Sequence, residues 1–195
     1  MTAPVAPDPA PSGARLSISA LEPSLRGVVA IAGAESNAGK TFVCEVAIRA
    51  FRAAGLRTFV LKTTRTHLAV CPRGIETCGT CDSLEGAFEV VRDPARIRVP
   101  GKDTSRYVEA GADHVRWLLA RPDHMAAGVR AAIADPPPNA VLIAEGNSFL
   151  DWCDVDAALM TLSPRGFFKP SATYVLDRID AFTARPVRNA DDSAE

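Results

Sequence analysis

Residues 28–51 read VVAIAGAESNAGKTFVCEVAIRAF, and this stretch decides the fold. Its first part belongs to the short apolar run Gly27–Ala32 (GVVAIA), which reads as a buried strand. Its last part has helical spacing over Lys40–Ala54, with Phe42, Val46 and Phe51 on one stripe and Ala47, Ala50 and Ala54 beside it. Gly55 follows where a helix C-terminus favours glycine. Between strand and helix runs Gly33-Ala34-Glu35-Ser36-Asn37-Ala38-Gly39-Lys40-Thr41. A phosphate loop usually reads G-x-x-x-x-G-K-[ST]. Here Gly33 comes one residue early and Ala34 occupies the usual place of the first glycine, so the spacing is G-x5-G-K-T. The required physics is retained. Amides at a helix N-terminus point at a bound anion, and the helix dipole adds to them. Gly39 lets the chain approach phosphate, Lys40 offers a charge to the β- and γ-phosphates, and the Thr41 hydroxyl can reach Mg²⁺. The plainer alternative is an ordinary strand–turn–helix that carries GKT by chance.

Outward from this loop, apolar runs and helical stretches alternate. Thr58–Leu61 is a second buried strand, His114–Ala120 a third, and Ala140–Ala144 (AVLIA) the clearest of all. Asp123–Ala134 reads as a helix that stops before Pro136, Pro137 and Pro138. Ala157–Leu162 and Thr173–Leu176 are further short strand candidates. Continuous apolar strands alternating with helices imply an α/β fold, a mostly parallel β-sheet flanked by helices, and with its Gly33–Thr41 loop the chain resembles P-loop NTPases. Residues 1–15, with four prolines, read as a disordered arm, and 185–195 as a disordered tail. Residues 16–184 form the domain, with a cysteine-bearing insertion at about 66–99.

Composition narrows the function. The chain has 195 residues, 47% hydrophobic and 23% charged, which excludes disorder throughout and suits one domain. The net charge of −1, from 22 basic and 23 acidic residues, argues against broad binding to nucleic acid or an anionic membrane. No apolar run reaches the roughly 18 residues a membrane helix needs. The start, MTAPVAPDPAPSGAR, lacks a basic region followed by an apolar one, so the chain reads as cytoplasmic. Five cysteines in a reducing compartment call for something other than disulfides.

Three of them form Cys71-x6-Cys78-x2-Cys81, and a C-x2-C turn enclosing Gly79 aims two thiolates at one ion. Cys71 adds a third ligand. Cys153, His67, a partner chain or an exchangeable ligand would add a fourth. Thiolates favour Zn²⁺, Cu(I) or an iron–sulfur cluster. A redox pair and an uninvolved loop are the alternatives, while Cys44, inside the first helix, reads as a buried apolar residue.

Glu145, at the carboxyl end of the AVLIA strand, stands where open α/β sheets bind ligands. It can hold Mg²⁺ or polarise an attacking water, or simply cap the next turn. Lys40 and Glu145 are the catalytic candidates, and Thr41 and Glu145 the Mg²⁺ candidates. Lys62, Lys102 and Asn147 are candidates for substrate contacts. Asp103 reads as a helix N-cap. The loop Lys169-Pro170-Ser171, after Phe167 and Phe168, is placed to meet a nucleotide base or to be a plain turn. Trp117 and Trp152 read as packing residues. The base identity is not legible, because no [NT]-K-x-D occurs and Val175-Leu176-Asp177-Arg178 is a faint echo of it.

The G-x5-G-K-T loop together with Lys62 resembles dethiobiotin synthetases. A longer set of motifs resembles the MobB family of molybdenum-cofactor proteins: Leu61-Lys62-Thr63-Thr64-Arg65-Thr66-His67, then Pro100-Gly101-Lys102-Asp103-Thr104-Ser105-Arg106 with Ala110-Gly111-Ala112, then a strand ending in Glu145-Gly146. The MobB resemblance implies a GTP-binding, dimer-forming adaptor acting with metal-cofactor biosynthesis proteins. The chain departs from that family in its longer phosphate loop, in Asn147-Ser148 after Gly146, and in its cysteine segment. Two classes of function follow: a Mg²⁺-dependent GTP or ATP hydrolase, favoured by Glu145, or a nucleotide-switched metallochaperone, favoured by the thiols. An ATP-dependent ligase is a third, and leaves the cysteines without a role.

Overall fold

The computed structural model describes residues 15–17, 25–66, 84–163 and 166–184. Seven strands make one sheet in the order β3-β4-β2-β5-β1-β6-β7. They are β1 (Gly27–Gly33), β2 (Arg57–Arg65), β3 (Phe88–Val91), β4 (His114–Ala120), β5 (Ala140–Glu145), β6 (Ala157–Leu162) and β7 (Ala181–Ala184). All run parallel except the edge strand β3, which is antiparallel to β4. The helices are α1 (Lys40–Ala53), α2 (Pro94–Ile97), α3 (Asp103–Glu109), α4 (Met125–Ile133), α5 (Asn147–Leu150) and α6 (Pro170–Thr173).

Successive side chains of each central strand go to opposite faces, so an all-apolar strand feeds two cores. On one face Ile31, Val60 and Ile143 pack with Cys44 and Ile48 of α1 and Tyr107 of α3. On the other, Ala30, Ala32, Phe59, Leu61, Leu142 and Ala144 pack with Met125, Val129 and Ile133 of α4, Phe149 and Leu150 of α5, and Ala172 of α6. Full burial of one such large side chain is worth about 1.5–3 kcal/mol.

The chain leaves β1 through α1 to reach β2, and β5 later returns to the gap between them. From β5 the chain passes β1 to reach β6 on its far side. The order therefore reverses at β1, and in open α/β sheets the crevice that takes ligands lies at such a reversal, here beyond the carboxyl ends of β1 and β5. Register brings Ile31 of β1 and Lys62 of β2 level with Glu145. At its other end α1 stops as its sequence predicts. Gly55 takes φ +75°, its amide donates to Arg52 O at 2.9 Å, and Leu56 N donates to Phe51 O at 2.9 Å.

One local expectation needs correction. Thr173–Leu176 is no strand: Pro170 opens α6, Tyr174 N donates to Pro170 O and Val175 N to Ala172 O, so Val175 is buried by a helical turn. The helix expected over 123–134 is present, opening as a 3-10 turn, Pro122–His124, that runs into α4. The described part of the cysteine-bearing segment, 84–99, supplies β3 and α2 at the sheet edge. Among the described residues no helix is long and apolar enough to cross a membrane.

Candidate functional site

The loop from β1 to α1 is held from behind. Ala34 N donates to Thr161 O at 2.9 Å, and Lys169 N donates to Ala34 O at 2.8 Å. The Asn147 side chain bonds both backbone groups of Gly33: Oδ1 accepts from Gly33 N at 2.9 Å, and Nδ2 donates to Gly33 O at 3.0 Å and to Ser171 O at 3.1 Å. Asn147 is buried, and its amide is taken up by bracing the loop and the 169–171 turn. Ala34 and Ala38 are buried, Glu35 half-buried, and Ser36 and Asn37 exposed.

Two residues of the loop have left-handed backbone, Asn37 at φ +64° and Gly39 at φ +100°. Gly39 is the position that opens α1, and its carbonyl accepts from Val43 N at 3.1 Å. The amides at the start of α1, ahead of the Val43–Gly39 bond, stand where a helix N-terminus offers donors to an anion. Gly33 has a different role. A Cβ there would lie 2.9 Å from Lys40 Cγ and Cδ and 3.1 Å from Nζ, so Lys40 folds back across it. This contact explains the unusual spacing, because Gly33 rather than Ala34 needs to be bare.

Four charged side chains meet beyond the strand ends. Lys62 Nζ donates to Glu145 Oε2 at 3.0 Å and also to Asp103 Oδ2. Lys40 Nζ lies 3.9 Å from Glu145 Oε1. Thr41 Oγ1 donates to Asp103 Oδ1 at 2.9 Å, and Tyr107 Oη to Glu145 Oε2 at 3.1 Å. Glu145 is only 3% exposed, a cost met by its cations and the buried tyrosine hydroxyl. Burial opposes the Lys62 ammonium, but Glu145 and then Asp103 outweigh it and lift Lys62 to about 12. Burial likewise opposes the Asp103 carboxylate, yet Lys62 and then the Thr41 hydroxyl hold it below the usual range.

Behind the carboxylate the backbone is fixed as well. Thr63 Oγ1 donates to Glu145 O at 2.9 Å, and Gly146 N to Ile31 O at 3.0 Å. Gly146 has φ +130°, and a Cβ on it would fall 2.2 Å from Thr63 Oγ1. Arg106 Nε donates to Glu45 Oε1 at 2.6 Å, tying α3 to α1 and so Asp103 to Thr41.

Of the residues expected at the site, Lys40, Thr41, Lys62 and Glu145 converge there. Lys102 is exposed at the N-cap of α3, where it makes no side-chain cap. Asp103 is not that cap. It is the first residue of α3, and its carboxylate points to Thr41 and Lys62. Tyr107, four residues on, shares the helix face and reaches Glu145; it was not among the residues expected here, and the i,i+4 spacing is its only trace in the sequence. Lys169 touches the loop through its backbone amide, and Ser171 through its carbonyl holds Asn147, which braces the loop. Trp117 packs beside Val91 and Leu119, and its Nε1 donates to Thr64 Oγ1 at 2.9 Å.

His67, Cys71, Cys78 and Cys81 lie outside the described residues. Cys153 is buried in the larger core, and burial pushes its thiol up to about 12. Cys44 is buried against Tyr107. Among the described residues no three His, Cys, Asp or Glu side chains converge as a metal-ligand set.

Mg²⁺ binds oxygen in octahedral geometry at about 2.0–2.1 Å, which puts adjacent ligand oxygens roughly 2.9 Å apart. Thr41 Oγ1 and Asp103 Oδ1 are oxygen donors of that kind side by side, joined by a hydrogen bond that a bound ion would have to replace. One or two carboxylates with phosphate and water completing the shell is the ion's ordinary mode, so the donor set fits. Comparison with known proteins finds no match: no family model, no curated protein and no solved structure.

Proposed function

We propose that this chain binds a nucleoside triphosphate, GTP or ATP, with Mg²⁺ in the crevice beyond β1 and β5 and acts on its terminal phosphoryl group. The observation that carries the reading is the placement of Lys40, bent back over Gly33 at the start of α1 and 3.9 Å from a buried carboxylate. A chance GKT in an ordinary turn has no need of a bare glycine beneath its lysine. The loop amides and Lys40 receive the β- and γ-phosphates. Thr41, Asp103 and Glu145 are the residues that would hold Mg²⁺. Bound Mg²⁺ supplies charge neutralisation at the phosphate oxygens. Glu145, released from the lysines by the incoming phosphates, orients and deprotonates the attacking water. Lys62 meets the γ-phosphoryl group. In keeping with the MobB resemblance, the activity serves metal-cofactor biosynthesis in a homodimer, with zinc or an iron–sulfur cluster on the cysteines.

The test is calorimetry with GTP-Mg²⁺ and ATP-Mg²⁺ on wild type and Lys40→Ala. Binding in wild type and its severe loss in the variant is the expected result. Equal triphosphate affinity in the two proteins overturns the proposal.

A further inference from the structure

Every carboxylate oxygen in the crevice already has a donor or cation. Asp103 gives Oδ1 to Thr41 and Oδ2 to Lys62, while Glu145 gives Oε1 to Lys40 and Oε2 to Lys62 and Tyr107. Two ammoniums balance two carboxylates, so the cluster is neutral. Lys62 stands between acids that come from different elements, α3 and β5, and among the described residues it is the group bonded to both. An ammonium at that point does the work a divalent ion would otherwise do: it keeps two nearby carboxylates ionised together.

A neutral cluster with two resident ammoniums has little to offer a free dication. A dication entering while Lys62 stays would meet repulsion from it, and the carboxylate oxygens facing inward are in use. A triphosphate changes this. It brings several negative charges to the loop, and Lys40 and Lys62 are the cations within reach. Their transfer to phosphate uncovers Asp103 and Glu145 at the moment the nucleotide supplies the rest of the metal's shell.

We propose that Lys62 is a tethered counter-cation that closes the divalent-ion position between Asp103 and Glu145 until nucleotide draws it away, so that metal enters only with its nucleotide. The inference rests on the function proposed above. It adds that binding is ordered by charge, with Lys62 as the residue that imposes the order.

The experiment uses Mn²⁺, another oxygen-seeking octahedral ion, followed by its free-ion EPR signal, and contains no nucleotide. Wild type and Lys62→Arg, which keeps the cation, are expected to bind Mn²⁺ no better than millimolar. Lys62→Met is expected to bind one Mn²⁺ per chain at least about tenfold more tightly. Adding Asp103→Asn to Lys62→Met should abolish the gain, which locates the site. Lys62→Gln is read in the same way should Lys62→Met not fold by circular dichroism. The wild-type arm needs no variant: micromolar Mn²⁺ binding to the nucleotide-free protein overturns the proposal. So does a folded Lys62→Met or Lys62→Gln protein with wild-type Mn²⁺ affinity. A gain in Mn²⁺ binding in a protein that binds no triphosphate would instead retire the nucleotide reading and leave the closed cation position standing.

Discussion

The Lys40 side chain lies across Gly33, so that a methyl group on that glycine would stand 2.9 Å from Lys40 Cγ and Cδ. Gly33→Ala must therefore move the lysine. The strand itself accepts alanine, since no positive φ is required at Gly33. The expected result is a folded protein, destabilised by no more than about 1 kcal/mol, whose triphosphate affinity falls roughly tenfold or more. Ala34→Gly, which restores the usual spacing, should recover none of that loss. Calorimetry on both variants checks this, and unchanged affinity in Gly33→Ala would show that Lys40 does not act from this position.

Glu145 should matter more to turnover than to binding. Glu145→Gln keeps the shape, the Tyr107 contact and an oxygen facing Lys62, and removes the charge. Turnover is expected to fall about 10²–10⁴-fold, the usual effect of losing an acid–base group, with affinity little changed. Phosphate release in single turnover measures it. A change within about twofold, far under that range, would make Glu145 a structural anchor.

These two residues also mark what the sequence makes legible. Strand β5 is apolar at every position but its last, so AVLIA and the glutamate at its end stand out. GKT between β1 and α1 is equally plain. Strands β3 (FEVV) and β7 (AFTA) are short edge strands with mixed exposure, and such strands have no apolar run to announce them. Asp103 shows a different limit. An aspartate at a helix start reads as a cap from local sequence alone. Only the docking of α3 on α1, through Arg106 and Glu45, turns its carboxylate toward Thr41.

The Asp103–Lys62 pair predicts a direction for pH dependence. The Asp103 carboxylate is held below its usual range in the folded chain. Its contribution is thus complete above the unfolded value of about 3.9 and is lost as pH falls through the lower folded value. Lys62, lifted to about 12, contributes fully below its unfolded value and loses that contribution as pH rises through about 12. The gap in urea midpoint between wild type and Asp103→Asn should be level from about pH 5 to 8 and narrow below about pH 4. A gap as wide at pH 3 as at pH 7, both taken as rough markers of the two regimes, would show that Asp103 gains nothing from Lys62.

Arg116 supports the sheet at a distance from the crevice. It is buried, its guanidinium lies 4.6 Å from the Phe59 ring centroid, and it caps the end of α4. Nη1 donates to Ala132 O at 2.6 Å and Ala134 O at 2.7 Å, and Nη2 to Asp135 O at 2.8 Å. Arg116→Met leaves those carbonyls without a donor and should cost about 2–4 kcal/mol. Arg116→Lys should recover only part of it, because one ammonium cannot copy a planar fork over an aromatic ring. Chemical denaturation gives the values, and nucleotide affinity of the folded fraction should stay at the wild-type level.

The last prediction separates the cysteines. Cys153 lies in the larger core, where Leu16 N donates to Trp152 O at 2.7 Å and Asp154 N to Leu16 O at 3.1 Å on either side of it, and Arg15 donates to its carbonyl. A metal-binding cysteine must give up its proton. Burial opposes that step at Cys153, pushing its thiol up to about 12 with only Arg15 and Arg130 drawing it down. Ligation there would also open the seam between Leu16 and Cys153. Cys153→Ser is therefore expected to keep whatever metal the protein carries and to lose about 1–2 kcal/mol of stability by burying a hydroxyl in place of a thiol. The triple substitution Cys71/Cys78/Cys81→Ser is expected to lose the metal. Metal and acid-labile sulfide are measured on protein purified without oxygen. If the triple variant retains its metal and Cys153→Ser loses it, the ligands are in the core, and the buried thiol must be reached by local opening around Leu16.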